Sequence, residues 1–381
     1  TALRRSLSDD DKQHYVDSQF AGDVPIEQGV KRVCILTLTS PDFQYPGITG
    51  SPDENNVARL ALVLWDSLPD PWMMELAAKG QSHAPEQLKP IVSRMLKDPR
   101  FVNKLHRFYV EWLGLHQAKD LTKSSARFAD FSLEVQSDLR RSIDLFLDAY
   151  TDCEADVRGL FTSRTLFVNE RLASLYGVAI EPPPADGAPV EPKGGFRKIE
   201  RVAEQSAGVL THPLVQANYA YHDSSSPIHR GVFLARRILG RNLRPPVDAI
   251  IPITEEAEPG LTTRERVAKQ TSGAMCQSCH RVINPLGFVF ENFDAIGRFR
   301  SEELGKPIDV VGSYTTSEGK VLELKSLPEF SQFLAESPEV HQSLVRQLFQ
   351  FFAKQPLPAY GVDQPKNLTE ILRNGGYKLQ P

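Results

Sequence analysis

The sequence is short of sulfur and of long apolar runs, and each shortage removes a class of protein. Only four of its 381 residues are cysteine and four are methionine, which excludes a disulfide-dense secreted scaffold. Cys276 and Cys279 stand together, leaving Cys34 and Cys153 either to bridge or to remain free thiols, which behave as small hydrophobes when buried. No stretch approaches the roughly 20 apolar residues that cross a bilayer. The residues after Thr1 are polar and lack the apolar core of a secretory signal. The chain is therefore expected to be soluble, and either mature or excised from something longer. There is no basic excess: 44 Lys and Arg stand against 48 Asp and Glu, a net charge of -4, so nucleic acid is not an expected partner. Internal repeats and low-complexity tracts are lacking too.

What is present is a globular composition, 41% hydrophobic and 24% charged, in a chain long enough for two or three cores. Val57, Leu60, Ala61, Leu64 and Trp65 recur at helical spacing until Ser67-Leu-Pro-Asp-Pro71 ends the run. The same period carries Leu88 to Leu96, Phe101 to Leu113, and Val135, Leu139, Ile143, Phe146 and Leu147. Residues 178–196 hold five prolines and three glycines and read as a linker between domains, and Pro245 to Pro259 as an exposed loop. Thr262-Thr-Arg-Glu265 is a capping box whose helix is expected to run on towards Cys276. Ser317-Glu-Gly319 between two β-prone runs predicts a small hairpin, and Ser337-Pro-Glu339 starts a helix striped by Val340, Leu344, Leu348, Phe351 and Phe352.

The chemistry is carried by Cys276-Gln-Ser-Cys-His280. In a c-type cytochrome two thiols so spaced become thioethers of one haem, and the next histidine is an axial ligand of its iron. Two intervening residues on a helical turn bring both sulfurs to one edge of a porphyrin. Zinc would need about two more Cys or His at finger spacing, which Cys34 and Cys153 do not supply. A thioredoxin-type dithiol follows a strand, whereas a helix is expected before this motif. One covalent haem c is the expected cofactor, with Cys276, Cys279, His280, Pro285, Arg298 and Arg300 as candidate contacts. The fold class that follows is mainly α: a helical N-terminal domain plus a cytochrome-c-like haem domain with a small β-hairpin insertion. The expected divisions are an N-terminal segment 1–50, a helical domain 51–180, a haem-binding domain 198–305 and a C-terminal hairpin and helices 306–381.

The sixth iron ligand is open at this point. No methionine lies downstream of the motif, and Met275 adjoins it too closely to cross the haem. His212, His229 and His341 are candidates, as are Met73, Met74 and Met95, or the distal face is vacant. Two strong ligands make an electron carrier, whereas a vacant position admits peroxide or oxygen chemistry. Asp294, Arg298 and Arg300 either pair with haem propionates or with one another. Leu286, Phe288, Phe290 and Phe293 are candidates for an apolar haem shell or for general core.

The stretch from Cys276 through Asn284-Pro-Leu-Gly-Phe288 and Glu291-Asn-Phe-Asp294 to Arg300 resembles the large cytochrome-like proteins of planctomycetes and myxobacteria. These are built from consecutive domains of unknown function numbered 1592, 1588 and 1585. The segments Ala58 to Asp70, Met95-Leu-Lys-Asp-Pro-Arg100 and Phe167 to Gly177 are similar to the first. Gly208-Val-Leu-Thr-His212 and Ser226-Pro-Ile-His-Arg-Gly231 are similar to the second, and residues 306–381 more loosely to the third. Arg4 to Asp9 and Leu38 to Phe43 resemble the tail of an upstream domain, which implies a short family member or a processed fragment. The sequence has Asn284-Pro285 where the family often has Asp-Pro, and it lacks a Tyr-Ala-Leu-Gly-Arg run around Phe351 to Gly361. The resemblance implies a periplasmic or extracellular haem protein. The expected activity is single-electron transfer to or from a redox partner protein, alone or within a larger complex. A peroxidase- or oxygenase-type haem enzyme, or a binding or assembly module with a structural haem, are the alternatives.

Overall fold

The computed structural model describes residues 2–45, 47, 50–116, 121–180, 195–244 and 258–380. The chain is mainly helical and divides into two compact units, Thr1–Leu105 and His106–Pro381. Among the described residues no helix is long and apolar enough to cross a membrane.

The first unit contains α1 (Asp9–Tyr15), α2 (Ile26–Thr39), α3 (Pro41–Gln44), α4 (Pro52–Trp65), α5 (Pro71–Ala78), α6 (Pro85–Met95) and the start of α7 (Pro99–Trp112). Five of these helices, α3 to α7, open on proline, whose missing amide costs nothing at a first turn. Ser51 and Glu54 form a capping box on α4, which ends on Asp66 in a left-handed conformation, φ 51°. Val57, Ala61, Met73, Ile91 and Met95 are core. A polar knot ties the helices together. The Trp65 indole Nε1 donates to the Met95 carbonyl at 3.1 Å, and the Arg100 guanidinium stacks 3.7 Å over the Trp65 ring. Arg100 also donates to both Asp70 oxygens at 2.9 and 2.8 Å and to Asp98. These bonds hold both carboxyls below the usual range. Lys104, 1% exposed, caps α4 through the Leu62 and Val63 carbonyls and Asp66.

The second unit takes the rest of α7, then α8 (Leu133–Asp148), α9 (Gly159–Thr162), β1 (Thr165–Val168), α10 (Glu170–Tyr176), β2 (Arg197–Glu200), α11 (Pro213–Asn218) and α12 (Pro227–Phe233). A π-helical turn, Leu234–Ile238, extends α12. There follow α13 (Thr263–Gln270), α14 (Ala274–Phe288), two short pairs β3 (Glu302–Glu303) with β4 (Lys306–Pro307) and β5 (Gly312–Thr315) with β6 (Val321–Leu324), then α15 (Leu327–Glu336), α16 (Pro338–Ala353) and α17 (Gln364–Asn374). All three strand pairs are antiparallel. The β5–β6 pair is the hairpin expected around Gly319, which takes φ 84° in the turn.

The two compact units divide between Leu105 and His106, within α7. Residues 106–180 belong to the same unit as the motif, because their apolar side chains are buried within it. Trp112 donates from Nε1 to the Arg237 carbonyl at 2.9 Å and meets Phe161 edge-on at 6.2 Å, and Ser331 bonds the Phe161 carbonyl at 2.8 Å. The proline-rich stretch lies mostly outside the described residues, at 181–194, between α10 and β2, and β2 pairs with β1, with Thr165 opposite Glu200. The loop expected from Pro245 is likewise outside the described residues as far as 257. Cys34 is an exposed free thiol and Cys153 a buried one. Burial pushes the Cys153 thiol up to about 11.

Candidate functional site

The motif does not continue the helix that begins at the Thr262 capping box. That helix, α13, has the expected cap, with Thr262 accepting from the Glu265 amide, but it ends at Gln270. Thr271-Ser-Gly273 then turns the chain, Gly273 becomes the N-cap of α14, and the motif occupies its first two turns. Cys276, His280, Ile283 and Gly287 recur at intervals of four, three and four residues and so share one stripe, with Cys279 beside it. The far half of that stripe is clamped. A Cβ on Gly287 would lie 1.9 Å from the Pro227 carbonyl oxygen, and one on Gly231 would lie 2.1 Å from that of Ile283. Backbone therefore touches backbone where α12 and α14 run antiparallel. The near half is not covered in this way: Cys276, Cys279 and His280 are half-buried, and Met275 is 89% exposed.

Both motif cysteines are free thiols. The His280 ring is held at one nitrogen, Nδ1, by Asn284 Oδ1 at 2.9 Å. Asn284 Nδ2 donates to Thr271 Oγ1 at 2.8 Å, and that hydroxyl donates to the Val267 carbonyl at 2.8 Å. Gln277 adds a bond to the Thr271 carbonyl at 2.5 Å. Among the described residues, no three His, Cys, Asp or Glu side chains converge to hold a bare metal ion.

The remaining candidates are placed elsewhere in the unit's packing. His212 caps α11: Nδ1 accepts from the Leu214 amide at 3.2 Å and Nε2 meets Ser142 Oγ at 3.0 Å. Since Ser142 donates to the Phe167 carbonyl, Nε2 carries the hydrogen, and both ring nitrogens are engaged. Burial drives its pKa well down. His341 is buried, donates from Nε2 to the Ala335 carbonyl at 2.8 Å and packs on Tyr377. His229 lies on α12 with its ring 4.9 Å from Tyr221. Met73 and Met95 are core residues of the first unit.

Arg298 pairs with Asp294 at 3.0 Å, and Arg300 reaches Glu291 at 3.4 Å and Glu303 at 3.5 Å. Of the two readings for these arginines, pairing within the fold is the one the geometry displays. Pro285 lies inside α14 and receives the hairpin, since a Cβ on Gly312 would be 2.9 Å from Pro285 Cβ. Leu286, Phe288, Phe290 and Phe293 are buried, Phe290 against Phe330 and Phe293 against Phe299, as general core.

Two features were not foreseen from sequence. One is the Asn284–Thr271 chain behind His280. The other is the buried pair Arg230 and Glu291, each 2% exposed and 3.6 Å apart. Arg230 donates to the carbonyls of Phe290, Phe293 and Asp294, each at 2.8 Å, and so fixes the segment leaving α14. Desolvation lowers Arg230 to about 10 and raises Glu291. The run Ser226 to Gly231 is thus architectural: its arginine and glycine seat α12 on α14.

No curated protein and no solved structure matches this chain. Two family models do, each described as a protein of unknown function. The chain therefore joins a stretch similar to DUF1592 at residues 53–178 to one similar to DUF1588 at residues 206–303, and the whole of α14 falls within the second.

Proposed function

We propose that this is an extracytoplasmic c-type haem protein, working in the periplasm or outside the cell, that passes single electrons to or from a partner protein. We place it with the cytochrome-like multidomain proteins of planctomycetes and myxobacteria that it resembles. The observation that carries the reading is the placement of Cys276, Cys279 and His280 on one half-buried face at the free start of α14. The donor set fits the group. Two reduced thiols one turn apart can each form a thioether, and His280 is tethered through Nδ1 only, which leaves Nε2 for iron. A bare-metal cage has no such support among the described residues.

When bound, haem supplies a one-electron iron couple. Cys276 and Cys279 would anchor it covalently and His280 would offer its free ring nitrogen to the iron, while the clamp of α12 on α14 holds that helix in place. Arg298 and Arg300 act by fixing the chain after α14 rather than as an acid–base pair. A haem enzyme with an open distal face is the second reading, favoured by His212, whose two ring nitrogens are both engaged.

The test is expression of the full chain in a host competent for cytochrome maturation. The expected product is coloured, gains the mass of one haem and loses it on Cys276→Ser plus Cys279→Ser. A colourless product without added mass overturns the proposal. Rapid cyanide or carbon monoxide binding by the folded protein would select the second reading.

A further inference from the structure

We infer that Asn284 and Thr271 are positioning residues for His280, fixing which ring nitrogen carries hydrogen and thereby the strength of the other as a metal ligand. The geometry settles the direction of each bond in turn. A carbonyl only accepts, so the Thr271 hydroxyl hydrogen lies on the 2.8 Å contact to Val267, and Oγ1 presents lone pairs to Asn284. The amide group 2.8 Å away must then be the NH2, which turns Oδ1 towards His280. An oxygen acceptor 2.9 Å from Nδ1 requires Nδ1–H, and a neutral imidazole so protonated has its lone pair on Nε2. Water does not compete within the relay, because Thr271 is 3% and Asn284 7% exposed. Asn284 is one helical turn beyond His280 on α14, while Thr271 is the C-cap of α13, so the ring is referenced to a second element.

The consequence for a bound iron rests on the haem reading; the tautomer does not. A hydrogen bond accepted from Nδ1–H raises the basicity of Nε2. A more basic axial nitrogen favours the oxidised iron, so the relay lowers the midpoint potential.

Two measurements on the full chain test this. In the chain without haem, long-range proton–nitrogen spectra above pH 8 should show His280 as the Nδ1–H tautomer in the native chain and in Thr271→Ser. Thr271→Val, which removes only the hydroxyl, and Asn284→Leu should give a mixture, with folding checked by circular dichroism. In the haem-loaded chain, the midpoint should rise in Thr271→Val and Asn284→Leu and stay in place in Thr271→Ser. An Nε2–H tautomer in the native chain overturns the inference, as does a midpoint identical in all four folded proteins. Failure to load haem at all would sink the proposed function instead, with the tautomer spectra still deciding the relay.

Discussion

The Trp65–Arg100 knot and the first two turns of α14 are both built from clustered polar side chains, but they use them differently. In the knot every guanidinium nitrogen of Arg100 donates to a carboxylate, and its face lies on an indole. In α14 two thiols remain free and one imidazole nitrogen is left over after the other is tied. Both regions stand out in the sequence as polar residues in a fixed pattern. What separates structure from chemistry is whether the fold has already satisfied those groups, since a satisfied group stabilises and an unsatisfied one at a surface can react.

The comparison breaks or sharpens under substitution. The largest effect is expected at the clamped end of α14: Gly287→Ala pushes a methyl into the Pro227 carbonyl and should lower stability by about 3 kcal/mol, read by denaturant unfolding. Next, Arg100→Leu leaves Asp70 and Asp98 without the guanidinium that pairs them, at a cost of about 2 kcal/mol. If either variant melts like the native chain, the contrast is wrong.

A smaller effect is set by pH. Arg100 depresses both carboxyls, so their contribution is full above the unfolded value of about 3.9 and is lost as pH falls through the lower folded values. Arg100→Leu should therefore flatten the acid limb of a thermal melt series. His106 behaves oppositely: its bond to Asp144 raises its pKa, so its contribution is full below about 6.5 and fades as pH rises through the folded value. The smallest effect belongs to the motif, where Cys276→Ser should change stability of the haem-free chain by less than about 0.5 kcal/mol. If the proposed haem attachment holds, the same substitution in the loaded chain should remove one thioether, read as a shift in the haem absorption bands.

Much of this arrangement was legible because it is local. The capping box at Thr262, the proline after Ser337 and the hairpin around Gly319 depend on neighbours within a few residues, and all are in place. The break between α13 and α14 was not legible, because Thr271-Ser-Gly273 carries no proline and does not disturb the polar pattern around it. Nor was the burial of Arg230 and Glu291, since charge in a sequence reads as surface until carbonyls 60 or more residues away supply partners. Arg298 and Arg300, open in the sequence between haem propionates and pairing within the fold, pair with carboxylates that are near in sequence. Asn284 could have been found from its i+4 spacing to His280, but Thr271 becomes relevant only once the two helices are turned against each other.

Mechanically, α14 is a beam built in at one end. Its half from Ile283 to Gly287 is locked to α12, its Ala274 end projects, and at Pro285 the missing amide cannot bond the Arg281 carbonyl, so the weakest point of the helix lies inside the wall itself. A load on the projecting end would bear on the beam there, and the hairpin resting on Pro285 through Gly312 is positioned as the prop that limits the deflection.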